Sequence, residues 1–399
     1  MRPVQNKLAR RLRSVAMLLL ILSACLSAVV APTTLRAQSS TLGESKPKPA
    51  PARWLGLIGE YGPDDDTVII LEKDGQLSAS FKRDEPEPLE EISQNFFKFP
   101  APGPHALQKL IFERDQRGRA TQVAVDAVIL KRRQIEPETG NQLRIKPLRP
   151  VAELMKEALA AQPPKENGDF READLVELTK LDPTIRLEVR YATTNNFLGT
   201  VFYSEARAFM QRPAAEAVVR ANKKLKQYGY GLLIHDAYRP WYVTKVFWDA
   251  TPDDKKVFVA NPANGSRHNR GCAVDLTLYD LKTKKPVEMV STYDETTARA
   301  YPDYPGGTSL QRWHRKLLRD AMEPEGFTVY EAEWWHFDYK DWKAYRIGNV
   351  RFEQINMKVD NGARTSLGRT IKTESQRFLI IQSGYSKSER ILTSPPDLL

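Results

Sequence analysis

The stretch GSRHNRGCAVDLTL, residues 265–278, decides how the second half of this chain is read. From Cys272 onward it is small, β-branched or apolar at every position but one, the pattern of a buried strand, and the exception is Asp275. A lone carboxylate withdrawn from water is strongly destabilising unless a cation or a set of donors receives it. His268 stands seven residues upstream in the loop SRHNRG, and Gly271 between them lets the backbone turn before the strand begins. A loop histidine and a strand carboxylate can converge on one ion, and zinc, coordinated at about 2.0–2.2 Å, offsets the desolvation. Catalytic zinc takes three protein ligands and keeps one position open. The third donor is expected at His336, which ends EAEWWH. Glu333, three residues earlier, is placed to take a proton from water and return it to a leaving amine. Positions three apart on a regular strand face opposite ways, so a bulge or strand end is expected between Glu333 and His336.

The chain has 399 residues, 41% of them hydrophobic, enough for one large core or two modest ones. Its formal charge of +10 invites a nucleic-acid reading, yet Arg2, Lys7, Arg10, Arg11, Arg13 and Arg36 precede any acidic residue and account for six of those charges. The remaining +4 is ordinary surface charge, and no nucleic-acid partner is expected. Residues 1–37 have the layout of an export signal, a basic leader followed by a short apolar core. Two processing readings stand side by side: cleavage after Ala37, giving a soluble periplasmic or extracellular form, or acylation at Cys25 after LSAC, giving a lipid anchor as the one membrane contact. Cys25 and Cys272 are the only cysteines, so no internal disulfide is expected and Cys272 reads as a small core residue.

Residues 38–52, rich in Pro, Ser and Lys, read as a linker. Residues 53–134 carry short alternating segments broken by Asp74-Gly75 and by the turn at Arg117-Gly118, a small β-rich module. Its one histidine, His105, lies in PAPGPH and reads as a turn residue. Residues 135–170 read as a second linker with a short helix at VAELMKEALAA, and 357–399 as a weakly ordered tail. Between them, residues 171–356 mix helical spacing, as in FMQRPAAEAVVRANKKLKQYG, with strands such as YGLLIHD and FTVYEAEWWHFDY. The fold class is therefore α+β with a central antiparallel sheet, preceded by the small all-β module. His235 reads as structural and His314 as a helix-face residue.

SRHNRGCAVD matches the SxHxxGxAxD motif, and EWWH the ExWH motif, of the zinc D,D-peptidase superfamily. Residues from about 180 to 355 resemble more closely the VanX-type D-alanyl-D-alanine dipeptidases, with VRYATTNNFLG, DAYRP, HNRGCAVDLTLYDL and EWWHFDY in that family's order. LIGEYG, LEKDG and IFERDQRG loosely resemble the small β-barrel modules of some exported hydrolases. The dipeptidase resemblance implies one zinc ion per chain on His268, Asp275 and His336, with Glu333 as catalytic base. It implies that Arg239, in DAYRP, stabilises the developing oxyanion, a role suited to a fixed, permanently charged donor. It places Ser266 near the substrate carboxylate and Asp294, in STYDE, near the substrate ammonium. Tyr191 and Asn196 would wall the pocket, although core packing accounts for Tyr191 equally well.

The expected activity is hydrolysis of D-alanyl-D-alanine to D-alanine in cell-wall peptide turnover, since an exported enzyme is poorly placed to destroy a cytoplasmic precursor for glycopeptide resistance. One rival is a D,D-carboxypeptidase or endopeptidase acting on peptidoglycan stem peptides, with the β module holding it near the wall. Another is a non-catalytic wall-binding protein whose zinc is structural, which would need four protein ligands and no base.

Overall fold

Asp275 sits on the middle strand of a five-stranded sheet. A computed structural model describes residues 44–355 except 83 and 136–143. The stretches read as an export signal, 1–37, and as a tail, 357–399, fall outside the described residues. In spatial order the sheet runs Arg186–Leu187, Tyr230–Asp236, Ala273–Asp280, Glu333–Tyr339 and Phe327–Tyr330. The first pair is parallel and the other three are antiparallel. The strand Ala273–Asp280 is buried at every position but its last, which is why its sequence reads as a continuous apolar run.

Two long helices cover this sheet through stripes set by their own sequences. In Arg212–Lys226 the buried positions Ala214, Val218, Ala221 and Leu225 recur at helical spacing, with Pro213 in the first turn. Ser309–Met322 starts from a reciprocal cap in which Thr308 Oγ1 accepts from the Gln311 amide and Gln311 Oε1 accepts from the Thr308 amide. Its Leu317, Leu318 and Ala321 join the same core. His314 is buried on this helix, Nε2 lying 2.9 Å from the Tyr230 hydroxyl. The architecture is mixed α and β, built on antiparallel sheets.

Residues 59–131 form two further antiparallel sheets, one of four strands and one of five. Asp74 and Gly75 both have positive φ, 53° and 82°, and close the Lys73–Gln76 pair as a two-residue hairpin. His105 stacks on Phe81 and pairs with Glu87, so it serves packing within these sheets. Ile69 and Leu71 pack against Val290 and Tyr304 from the later part of the chain. Beside them Glu72 Oε2 accepts from the Ser309 amide at 2.8 Å, a carboxylate at a helix start, and the Tyr304 hydroxyl donates to Glu60 Oε1 at 2.8 Å. The stretch expected as a linker, 135–170, is packed where it is described: in its helix Val151–Ala160, Leu154 and Ala158 enter the large core, and Glu166 pairs with Arg270 at 2.6 Å.

Asp182 ties the sheet edge to the Arg212–Lys226 helix. It accepts from the Thr184 amide and hydroxyl, from Asn222 at 2.9 Å and from Lys226 at 3.2 Å. Burial pulls this carboxyl up, but the donors outweigh it and hold it at about 2. A depressed carboxylate contributes stability above its unfolded value near 3.9, and that contribution is lost as pH falls through about 2. Thermal unfolding followed between about pH 5 and pH 2 should therefore show the Asp182→Asn variant less stable than wild type at the upper end, with the gap closing on acidification.

Candidate active site

Three elements deliver one donor each to a single point. His268 opens a short turn, His268–Arg270, that ends at Gly271 with φ 68°. The left-handed backbone at Gly271 favours glycine, and a Cβ there would also press to 2.6 Å from the end of the Leu175 side chain. Asp275 and His336 are direct cross-strand partners. His268 Nε2 lies 3.1 Å from His336 Nδ1 and 3.3 Å from Asp275 Oδ1, and His336 Nδ1 lies 2.9 Å from Asp275 Oδ1. All three side chains are buried.

The ring nitrogens turned away from this point are engaged elsewhere. His268 Nδ1 is 2.7 Å from the Ala237 carbonyl oxygen and must donate to it, and His336 Nε2 is 2.9 Å from Asp338 Oδ1. Each imidazole can thus turn a lone pair inward. A tetrahedral ion at about 2.05 Å from each donor would space them by about 3.3 Å, so the observed triangle fits one. The charges fit as well. Burial pushes Asp275 up, yet the two histidines hold it well below the ordinary carboxylate range, and Asp338 and Asp275 draw His336 toward the cation against the cost of burial. The carboxylates favour positive charge at this centre, whether from a proton or from a metal.

Glu333 reaches the same cavity through a break in its ladder. Phe337 pairs with Val329 and Glu333 with Tyr330, so one step on the partner strand spans four on this one. The break lies where the spacing of Glu333 and His336 demanded it. Glu333 Oε2 is 3.8 Å from His336 Nδ1, beside the donor triangle and outside it. Burial, opposed by His336, pushes its carboxyl up to about 8.

Arg239 is held chiefly by Asp236, a residue that sequence reasoning did not single out. Its Nε and Nη2 donate to Asp236 Oδ2 at 2.9 and 2.8 Å, and Nη2 stands 3.6 Å from Asp275 Oδ2. The guanidinium lies over the rings of Tyr191 and Phe247. Asp236 also accepts from the Tyr203 hydroxyl at 2.8 Å, and the ladder irregularity at His235 puts it opposite Asp275. Asp236 was within reach as the first residue of DAYRP, and Asp338 as the next residue on the His336 face of its strand. Tyr203 left no signal. Tyr293, next to Asp294, donates its hydroxyl to Asp275 Oδ2 at 2.9 Å and fixes the orientation of that carboxylate. Losing such a support typically costs 10–100-fold in metal affinity or activity. Tyr293→Phe should therefore bind zinc about 10–100-fold more weakly in competition with a chromogenic chelator.

Asp294, at φ 59°, accepts from the Tyr191 hydroxyl at 2.8 Å and lines the pocket together with Tyr191. Ser266 also lines it, its Oγ accepting from the His268 amide at 3.2 Å. Asn196 lies elsewhere: it clamps its own loop by donating to the Thr193 and Thr200 carbonyls and accepting from the Leu198 amide. His235 is stacked on Tyr293 and held neutral, burial lowering its pKa to about 4. The pocket has a volume of about 120 Å³.

A buried His-Asp-His donor set, flanked by a carboxylate and an arginine and open to a small pocket, defines the class as a single-metal hydrolase. The sequence model of the peptidase family described as D-ala-D-ala dipeptidase matches residues 171–355. A D-alanyl-D-alanine dipeptidase of Escherichia coli K12 is 32% identical over 174 residues, 44% of this chain and 89% of that protein. One from Enterococcus faecium is 34% identical over 175 residues, 39% of this chain and 87% of that protein. One from Streptomyces coelicolor is 30% identical over 192 residues, 44% and 93% of the two chains. The chain belongs to this dipeptidase family of metallopeptidases.

Proposed function

We propose that this protein is a zinc-dependent D-alanyl-D-alanine dipeptidase, exported and active in cell-wall peptide turnover. The observation that carries the reading is the convergence of three buried metal donors, a separate carboxylate and a fixed guanidinium on one small pocket. His268 Nε2, His336 Nδ1 and Asp275 Oδ1 would hold the ion. Zinc bound there supplies Lewis acidity, lowering the pKa of water and polarising a carbonyl.

The protein's own groups perform the rest. Glu333 takes a proton from the attacking water as its oxygen bonds to the carbonyl carbon, then passes that proton to the leaving amine as the C–N bond breaks. Two molecules of D-alanine result. Arg239, immobilised by Asp236, directs a permanent charge at the oxygen that becomes anionic. Asp294, oriented by Tyr191, receives the substrate ammonium, and Ser266 meets the substrate carboxylate.

Pocket size favours the dipeptide over a stem peptide. Pockets for drug-sized ligands run to about 300–1,000 Å³, and this one is about 120 Å³. Three donors among the described residues also fall short of the four of a structural zinc site. The leader sequence supports export, and wall-derived dipeptide is the substrate an exported enzyme would meet. The test is to incubate zinc-loaded protein with D-Ala-D-Ala, L-Ala-L-Ala and muropeptides and to identify the amines released. D-alanine from the first alone is expected, while preferential cleavage of muropeptides would overturn the assignment.

A further inference from the structure

Tyr293, whose hydroxyl holds Asp275, also borders a second and larger cavity of about 910 Å³. Arg53, Arg114, Arg117, Arg119 and Arg132 line it, together with Arg190 and Arg299. Three glutamates face the same space, and each is engaged: Glu60 with Arg133 and Tyr304, Glu188 with Arg190, Glu288 with Gln311. Seven guanidinium groups stand against these three carboxylates, and two of the seven are paired with carboxylates outside the lining, Arg53 with Glu91 at 2.9 Å and Arg299 with Glu295 at 3.4 Å, which leaves a surplus of +2. Arg114 and Arg132 donate to carbonyl, amide and phenol oxygens and have no carboxylate partner among the described residues. The exposed Arg117 side chain has no ion pair among them either.

Two buried polar atoms on this lining have nothing to bond to. Thr277 is 5% exposed and its Oγ1 is unpartnered, as is Arg190 Nε. Burying such groups unpaired costs free energy unless a ligand meets them. Thr277 belongs to the strand Ala273–Asp280, and both residues line the cavity together with the arginines. The cations are all arginine and none is lysine, which suits flat, forked recognition of oxyanions. Apolar groups interleave with them: Leu55, Ile58, Val287, Met289 and Trp334. A uniformly charged phosphate chain would make no use of that apolar surface, whereas carboxylates spaced along a peptide would use both.

We infer that this cleft is a second, non-catalytic binding site for an acidic peptide, with carboxylates on the arginines and backbone or side-chain oxygen on Thr277 and Arg190. The inference stands on the cleft's own chemistry, so it survives if the dipeptidase assignment fails.

The test is calorimetric titration of the full chain, zinc-loaded, with tetraglutamate, with tetraserine and with tripolyphosphate at low salt. Tetraglutamate is expected to saturate one site, and tetraserine to show no binding. Arg117→Glu, at an exposed turn, and Thr277→Val, of matching shape, should each weaken tetraglutamate by about tenfold, the scale of one lost hydrogen bond to a charged group. Thermal midpoints of both variants verify that they are folded. Absence of saturation, equal binding of tetraserine, tighter binding of tripolyphosphate, or wild-type affinity in folded Arg117→Glu would each overturn the inference.

Discussion

Glu333→Gln is expected to retain one zinc per chain and to hydrolyse D-Ala-D-Ala about 10²–10⁴-fold more slowly, the range contributed by a positioned general base. The amide keeps the shape of the side chain and its place beside the donor triangle, 3.8 Å from His336 Nδ1, and removes only the capacity to carry a proton. Elemental analysis reports the metal and a D-alanine assay reports the rate. The effect should fall on kcat, because the role proposed for Glu333 is to carry the proton and not to bind either end of the substrate. A variant that keeps its zinc and its full rate would remove Glu333 from the mechanism.

Arg239→Lys should be nearly as damaging, with a loss of about 10²–10³ in kcat, the cost of deleting one preorganised oxyanion donor. Charge alone is not sufficient at this position. Asp236 receives both Nε and Nη2 of the guanidinium, which is how the remaining N–H groups acquire a fixed direction, and a lysine ammonium cannot reproduce that fork. The substitution should leave zinc content unchanged and KM moved far less than kcat. Asp236→Asn should share the kcat loss in weaker form, since it loosens the arginine without deleting it.

How much of this could be read from sequence depends on how local the controlling physics is. The hairpin at Asp74-Gly75 was legible because a two-residue turn with positive φ at both positions has few sequence solutions. The Arg212–Lys226 helix was legible from the spacing of its alanines and valines and its stop before Gly229. His268, Asp275 and His336 could be found because a charge inside an apolar strand is an anomaly that demands a partner. In the segment 135–170, read as a linker with a short helix, the helix forms at Val151–Ala160, while the burial of Leu154 and Ala158 depends on surfaces supplied by the rest of the chain and left no local signal. Asn196 was expected near the pocket because it adjoins pocket residues in sequence, but its amide was already committed to its own loop.

By itself the sequence determined the mixed α and β character, the strand bearing Asp275, the three side chains, His268, Asp275 and His336, that converge where they could hold one metal ion, and the need for a break between Glu333 and His336. These follow from side-chain chemistry and short-range periodicity, which a linear chain carries in full. Only the tertiary structure decided that Asp236 would clamp Arg239, that Tyr293 would brace Asp275, and that arginines from residues 53–132 would line one cleft with Thr277. Those relations join groups brought together by strand register and by the docking of separate sheets. Their free energy arises from distance and burial, which no local pattern of residues encodes.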